Sequence, residues 1–204
     1  DILSYLIDEV KKFCTRYPYF LQNESDLKCF IFWRLAEYIQ NNQKIFFTKD
    51  QSYFPLHTEY RPKPIENEKV FWDIVIMRKG LNLNMDEQYF PVWIAFELKC
   101  EFNKDTKEIR NIFDDAINRM LSRKKIVMQY LQKHESLNPN YYLPKLYVVF
   151  FVNRRQGTPL DNKSRDEIIE YMTETVNKLG RVYCVYMEIS YRDIFSKIVD
   201  SHIS

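Results

Sequence analysis

Glycine is scarce in this sequence, with only 3 among 204 residues. Glycine-rich phosphate-binding loops need several glycines at fixed spacing, because their backbone must approach the phosphates closely. Neither GxGxxG nor GxxxxGK[ST] occurs in the chain. The nucleotide-binding classes that depend on such loops are therefore excluded.

Cysteine and histidine are also sparse, and they are scattered along the chain. Their positions are Cys14, Cys29, Cys100, Cys184, His57, His134 and His202. No two are spaced as zinc ligands or as a cysteine–histidine nucleophile pair. Because three of the cysteines have apolar neighbours in expected helices or strands, we expect buried, reduced thiols and a cytoplasmic protein.

Long apolar runs are missing as well. No stretch of about 18 apolar residues occurs, so no membrane span is expected. Residues 1–4 lack the basic and apolar regions of a secretory signal. We therefore expect no membrane partner.

The charges nearly cancel, with a formal net charge of +2. Proteins that coat nucleic acid without sequence preference are typically more basic, so any nucleic-acid contact must come from local patches. Apolar residues make up 46% and aromatic residues 16% of the chain, which is ample for one large core. We expect a single domain over residues 1–204.

Apolar spacing gives the order of the elements. We predict helices over 2–14, from a cap at Asn23 or Ser25 to about 39, over 106–133, and from a cap at Ser164 to 180, and strands over 56–60, 70–77, 92–100, 145–152 and 183–189. The order α-α-β-β-β-α-β-α-β predicts an α/β fold with a mixed sheet of about five strands and helices on both faces.

Three charged residues interrupt strands that otherwise consist of core residues. Asp73 lies within Phe71–Ile76, and Glu97 and Lys99 lie within Ile94–Lys99. An unpaired charge buried in such a strand costs several kcal/mol, on the order of 3–5. These groups must therefore be paired, bind an ion, or lie where the sheet opens to solvent.

Strand geometry places Glu97 and Lys99 on the same face, because side chains alternate along a strand. If the two strands are adjacent, Asp73 lies beside Glu97, and two carboxylates so close repel unless a cation separates them. Oxygen ligands favour a hard ion, Mg²⁺ or Mn²⁺. Lys99 can then orient or help deprotonate a water and stabilise charge on a phosphate.

The tripeptide Asp/Glu-x-Lys alone is not specific, because it occurs five times. Four copies lie on expected helices or loops, where a solvated ion pair explains them: Glu9–Lys11, Asp26–Lys28, Asp105–Lys107 and Asp161–Lys163. Only Glu97-Leu98-Lys99 lies on an apolar strand that follows a second strand with a lone Asp. Its position, rather than its letters, points to a metal site.

The stretches Phe71-Trp72-Asp73-Ile74-Val75-Ile76 and Ile94-Ala95-Phe96-Glu97-Leu98-Lys99 resemble the PD-(D/E)xK nuclease superfamily, the restriction-endonuclease-like proteins. The α-β-β-β-α-β core of that superfamily is similar to the element order of residues 24–152, which leaves residues 153–204 as an α-β extension. The motif's proline is replaced by Trp72.

The resemblance implies catalytic roles for specific residues. Asp73 and Glu97 would be metal ligands together with the carbonyl of Leu98, and Lys99 would position the attacking water. An acidic residue on the helix before the first strand often joins them. Glu24 is the best match for this residue, and Asp26 is the alternative.

Several polar residues flank the motif and have two interpretations each. Arg119, Arg123, Lys124, Lys125, Arg154 and Arg155 either contact a phosphate backbone or belong to solvated surfaces. Asp115 on the long helix resembles an Asp of some branches of the superfamily and is otherwise a solvated helix residue. The segment 153–204 supplies a partner surface, a substrate clamp or an extra strand.

Three functions follow from these observations. The first is a Mg²⁺- or Mn²⁺-dependent endonuclease that hydrolyses DNA by water attack, with RNA as another substrate and a homodimer as the expected assembly. A restriction-like or mobile-element enzyme is the nearest analogy. The second is an inactive nuclease-fold module that binds nucleic acid or protein. The third is an unrelated α/β domain in which Asp73, Glu97 and Lys99 form a structural ion cluster.

Overall fold

A computed structural model of the chain describes residues 1–17, 20–49, 51, 53–62, 65, 70–79, 90–134, 138–154, 158–190 and 193–200. The helices are α1 (Ile2–Arg16), α2 (Glu24–Asn41), α3 (Gln43–Phe46), α4 (Thr106–Lys133), α5 (Pro139–Tyr142) and α6 (Asn162–Asn177). The strands are β1 (Leu56–Tyr60), β2 (Trp72–Met77), β3 (Val92–Phe102), β4 (Lys145–Arg154), β5 (Val182–Ser190) and β6 (Ile194–Asp200).

The described strands form one open, mixed sheet in which β1 to β6 lie side by side in sequence order. β1, β2 and β3 form an antiparallel meander, whereas β3, β4 and β5 run parallel, and β6 returns antiparallel to β5. Parallel neighbours need crossover connections, and α4 and α6 supply them. The predicted α/β class and the predicted strand sequence of the core are thereby confirmed.

Helices cover both faces of the sheet, as the sequence predicts. The buried side chains of α1 and α2 pack with Ile74, Phe96 and Leu98 on one face. The buried side chains of α4 and α6 pack with Val75, Ala95 and other residues on the opposite face. Because β2 and the middle of β3 are covered on both sides, any charged residue within them needs a partner.

The helix starts follow local capping chemistry. Asn23 caps α2 by accepting the N–H of Asp26, which decides between the two predicted caps. A capping box between Asp105 and Glu108 starts α4. The predicted cap at Ser164 is wrong, because the Asp161 carboxylate accepts the Ser164 N–H at 2.7 Å and α6 begins three residues earlier.

The prediction of about five strands is one short. β6 pairs with β5 from Ile189↔Ile194 to Tyr183↔Asp200 and lies at the edge of the sheet. Its sequence mixes apolar residues with Ser196 and Lys197, which is typical of an edge strand that is partly open to water. The extra strand is thus one role of the C-terminal extension. Among the described helices, none has the length and apolarity to cross a membrane.

Candidate metal centre

Pairing of β2 with β3 brings the predicted site residues together. The register runs through Ile76↔Ile94 to Ile74↔Phe96, and one further step puts Asp73 opposite Glu97. The main-chain N–H of Leu98 donates to Asp73 Oδ2 at 2.8 Å. The predicted proximity of the two strands, and of Asp73 to the Glu97-Leu98-Lys99 tripeptide, is therefore present.

The ammonium group of Lys99 lies among oxygen atoms from two elements. Its Nζ is 2.9 Å from Glu24 Oε2 and 2.9 Å from the carbonyl oxygen of Leu98. Oε1 of Glu97 is 3.7 Å away. The first turn of α2 thus supplies an acid to the site, and that acid is Glu24. Asp26, the alternative, instead accepts the main-chain N–H of Gln22 at 2.9 Å.

Glu97 is paired with two arginines of α4. Arg123 Nη1 donates to Glu97 Oε2 at 2.5 Å, and Arg119 Nη2 lies 3.4 Å from Glu97 Oε1. Arg123 is buried with Glu97, whereas the side chain of Arg119 is half exposed. One helical turn separates the two arginines, so both reach the same carboxylate from one helix face.

Lys28 on α2 is a site residue that the sequence reasoning missed. Its Nζ lies 3.9 Å from Asp73 Oδ1 and 3.0 Å from Glu59 Oε1. Lys28 follows Glu24 by one helical turn, and this i,i+4 spacing was the signal that could have found it. Glu59 has a positive φ of 48°, a conformation that L residues rarely adopt, where β1 skips one pairing with β2.

Asp73 has a raised pKa. Burial is the main cause, because it disfavours the charged carboxylate. The N–H of Leu98 opposes this effect by stabilising the anion, and the nearby charge of Glu97 adds to the rise in pKa. The negative charge of Glu97 therefore lies close enough to disfavour the charged form of Asp73.

The donor chemistry of the site fits a hard divalent cation. Asp73 Oδ1 accepts no hydrogen bond from the described residues, and its closest cation is Lys28. The carbonyl oxygen of Leu98 and the carboxylate of Glu97 now bind Lys99 and the two arginines. These three cations would have to move away from the two oxygen ligands for an ion to bind. Within the described segments, no cluster of three or more His, Cys, Asp or Glu is arranged as a ready metal site.

The charged residues around the site form a cluster in which positive and negative charges are equal in number. Four carboxylates, from Glu24, Glu59, Asp73 and Glu97, are linked by ion pairs to four cations, from Lys28, Lys99, Arg119 and Arg123. A bound dication would add two positive charges to this cluster. An anionic substrate would compensate for them, so we expect ion and substrate to favour each other's binding.

Among the other predicted basic residues that the structure describes, Lys124 and Arg154 bond within the fold. Lys124 donates to the carbonyls of Leu179 and Gly180, and Lys125 is exposed. Arg154 is buried, donates to the carbonyl of Lys104, and lies 3.6 Å from Glu188 Oε1. These internal bonds hold Lys124 and Arg154 within the fold rather than at a phosphate backbone.

The other polar residues singled out by the sequence have separate positions. Arg155 lies outside the described residues. Asp115 is exposed on α4, where it lines an open cleft of about 480 Å³ together with Asn118, Arg119 and Ser122. The cleft adjoins the site through Arg119, since Arg119 also contacts Glu97.

Comparisons with known proteins give no match to a family model, to a curated protein or to a solved structure. The resemblance to the PD-(D/E)xK superfamily therefore stays a prediction from the residues and their order. The observation that supports this prediction is the arrangement of Asp73, Glu97 and Lys99.

Proposed function

We propose that this protein is a Mg²⁺- or Mn²⁺-dependent nuclease that hydrolyses phosphodiester bonds in DNA. One observation carries the proposal: Asp73 and the Glu97-Leu98-Lys99 tripeptide meet between two adjacent inner strands, where all three charged residues are buried. Burying so many charged groups is costly for folding, and catalytic sites are where proteins retain such groups.

Asp73, Glu97 and the Leu98 carbonyl are the groups that would hold the cation. When bound, the cation supplies stabilisation of the charge that develops on the scissile phosphate and acidifies the attacking water. The chain's own contribution starts with Leu98, whose N–H fixes one oxygen of Asp73 and leaves Oδ1 for a ligand. Glu24 holds the Lys99 ammonium beside these oxygens.

Lys99 and Arg119 are the cations that would meet the substrate. Lys99 is positioned to orient a water and to stabilise negative charge in the transition state. Arg119 is half exposed and lies between Glu97 and the cleft on α4. A phosphate that approaches the site from this cleft would take Arg119 from Glu97, because a bidentate guanidinium–phosphate pair is a strong interaction.

A cleavage assay tests the proposal. The protein is incubated with supercoiled, linear and single-stranded DNA and with RNA, in the presence of Mg²⁺, Mn²⁺ or EDTA. We expect cleavage with either metal and none with EDTA. Asp73→Ala and Lys99→Ala should each lower the rate at least about 100-fold, because each removes a group that stabilises the transition state.

Lys107→Ala is the matched control for this assay. Lys107 belongs to the tripeptide Asp105-Thr106-Lys107, which has the same pattern but lies exposed at the start of α4. This variant should cleave at the parent rate. The proposal fails if no form of DNA or RNA is cut, or if Asp73→Ala and Lys99→Ala cut as fast as the parent.

A second candidate function is a nucleic-acid-binding module without turnover. The observation that favours it is the pairing of Glu97 with both Arg119 and Arg123, which leaves Glu97 neutralised by the protein itself. Under this function the protein binds DNA equally well with Mg²⁺ and with EDTA and cuts nothing. Binding that depends on the metal would reject it in favour of the nuclease.

A further inference from the structure

Phe71 is an exposed aromatic residue beside the candidate site. It precedes β2 directly and lies two residues before Asp73, and 41% of its surface is exposed. Its neighbour Trp72 is fully buried, as are most large aromatic side chains of the two cores. Packing within the fold therefore does not account for the exposed part of the Phe71 ring.

Guanidinium groups lie close to the Phe71 ring. The Arg123 guanidinium carbon is 4.9 Å from the ring centroid, and that of Arg61 is 5.8 Å away. Arg123 is fixed by its bond to Glu97, whereas Arg61 is exposed. An exposed ring that contacts an exposed arginine and the buried Arg123–Glu97 pair combines aromatic and cationic groups of the kind that bind a base and its phosphate.

The ring and the cleft are linked through one buried carboxylate. Arg119, which lines the cleft on α4, and Arg123, which contacts Phe71, are bound to the same carboxylate of Glu97. Both features therefore adjoin Glu97, one of the candidate metal ligands, and a strand that reaches from the cleft to Phe71 would lie next to it. Arg119 and Arg61 would supply positive charge at the two ends of this path.

We propose that Phe71 is a stacking platform for an unpaired base, and that the ligand of this site is a single-stranded or locally unpaired segment of DNA. The inference rests on the proposed function in taking nucleic acid as the substrate. The bases of an intact duplex already stack on their neighbours, so their flat faces are not available to a protein ring. A lone aromatic ring beside the carboxylates thus favours unpaired strands.

Binding measured without turnover tests the inference. Fluorescence anisotropy in EDTA compares a labelled oligonucleotide of about 20 nucleotides as a single strand, as a duplex and as RNA. We expect the single strands to bind more tightly than the duplex. Phe71→Ala should weaken single-strand binding roughly tenfold, because stacking of one base on an aromatic ring contributes about 1–3 kcal/mol.

Two conservative variants separate stacking from folding. Phe71→Leu keeps the apolar bulk but lacks the ring, and it should lose affinity as Phe71→Ala does. Phe71→Tyr keeps the ring and should bind as the parent does. If Phe71→Ala fails to fold, the comparison of single-strand binding by Phe71→Leu and Phe71→Tyr still tests whether the ring stacks on a base. Equal single-strand binding by the Leu and Tyr variants would overturn the inference.

Tyr141→Ala is the matched control. Tyr141 is 66% exposed and has the Arg78 guanidinium carbon 5.1 Å from its ring centroid, so it is also an exposed ring beside an arginine. It lies on α5, shortly before β4. The first residue of β4 pairs with Ile94 near the start of β3, whereas Lys99 lies near the end of β3. Loss of single-strand affinity in this variant equal to that in Phe71→Ala would also overturn the inference.

The outcomes of this experiment and of the cleavage assay are distinguishable. A protein that cuts DNA but binds duplex as tightly as single strands, or loses nothing in Phe71→Ala, remains a nuclease without this platform. A protein that binds single strands through Phe71 but cuts nothing keeps the platform and loses the proposed activity. Failure of the parent to bind any of the oligonucleotides would overturn the inference, and equal binding of single-stranded DNA and RNA would support stacking of an unpaired base.

Discussion

Asp73 and Leu98 are joined across β2 and β3 by a 2.8 Å hydrogen bond from a main-chain N–H to a carboxylate oxygen. Leu98 uses its second main-chain polar group as well, because its carbonyl accepts the ammonium of Lys99. Its side chain packs in the core on the side of α1 and α2. The backbone of one core residue therefore orients both the Asp73 carboxylate and the Lys99 ammonium. The geometry of the site depends on the pairing of β2 with β3.

Asp73→Asn should stabilise the protein and, under the proposed function, abolish metal-dependent cleavage. The asparagine side chain keeps an oxygen for the Leu98 N–H and removes the buried charge. Burial raises the pKa of Asp73 above its ordinary value of 3.8, so the folded state binds this proton more tightly than the unfolded state does. The stability that this group contributes is therefore fully present below pH 3.8 and lost as the pH rises through the folded-state pKa.

Thermal melts of parent and variant across pH check this expectation. The melting temperature of Asp73→Asn should exceed that of the parent at about pH 7, and the difference should shrink as the pH falls toward about 4. Asp115→Asn, on the exposed surface of α4, is the control and should leave the melting temperature unchanged at every pH. A lower melting temperature of Asp73→Asn at about pH 7 would show that the charged form is net stabilising.

Glu24→Gln and Asp26→Asn form a matched pair on the first turn of α2. Glu24 binds the Lys99 ammonium, whereas Asp26 accepts a main-chain N–H outside the site. Under the proposed function, Glu24→Gln should lower the cleavage rate about tenfold, because the weaker partner leaves Lys99 less well oriented. Asp26→Asn should keep the parent rate. Single-turnover kinetics at saturating metal measure both, and equal rates would remove Glu24 from the site.

The order of strands could be predicted because each central strand is a dense apolar run. The pattern of 145–152 predicts burial on both faces, and the charged residues within the apolar strands 70–77 and 92–100 had to be paired, bound to an ion or open to solvent. This reasoning identified Asp73, Glu97 and Lys99, whereas the ranking of Glu24 above Asp26 came from the resemblance to the nuclease superfamily. It did not identify Lys28, because a solvated ion pair also explained this helical lysine, and the i,i+4 spacing from Glu24 gains meaning only with the contact to Asp73.

The partners of Arg119 and Arg123 could not be predicted from the sequence for a different reason. Arg123 follows Arg119 by four residues on α4. The residues that they contact depend on the angle at which α4 crosses the sheet, and the local sequence pattern does not fix this angle. The sequence interpretation left both between phosphate contact and a solvated face, whereas Arg123 is buried against Glu97. β6 was missed because an edge strand lacks a continuous apolar signal.

Arg123→Met and Arg119→Met should separate a buried ion pair from an exposed one. Removing Arg123 leaves Glu97 buried without its closest partner, which should cost about 3 kcal/mol of unfolding free energy. Arg119 is half exposed and more distant, so its removal should cost less than about 1 kcal/mol. Urea denaturation measures both. Under the proposed function, Arg119→Met should weaken DNA binding, although it barely alters stability.

Glu97→Gln in the Arg123→Met background provides the control for this prediction. With the buried charge gone, the double variant should recover much of the stability lost in Arg123→Met, because the two residues are directly coupled. Additive effects of the two substitutions would mean that Arg123 stabilises the fold through its packing on Phe71 rather than through Glu97.

Glu188 forms a second buried ion network, which should affect stability without affecting the site. It is fully buried on β5 and accepts hydrogen bonds from Arg165 at 2.9 Å, from the N–H of Leu160 at 3.1 Å and from the hydroxyl of Tyr186 at 3.1 Å. Arg165 also binds Asp193, the residue before β6. The network therefore ties α6, β5 and the edge strand together.

Arg165→Met should lower the unfolding free energy by about 3 kcal/mol, because Glu188 then stays buried with Arg154 as its remaining guanidinium partner. The loss should be felt first at the C-terminal edge, so amide hydrogen exchange should accelerate in β6 more than in β2 or β3. Under the proposed function, metal-dependent cleavage per folded molecule should match that of the parent, since no contact of this network reaches Asp73, Glu97 or Lys99 among the described residues. Equal acceleration of exchange in all strands would mean that the sheet unfolds as one unit and that the network supports its centre as well as its edge.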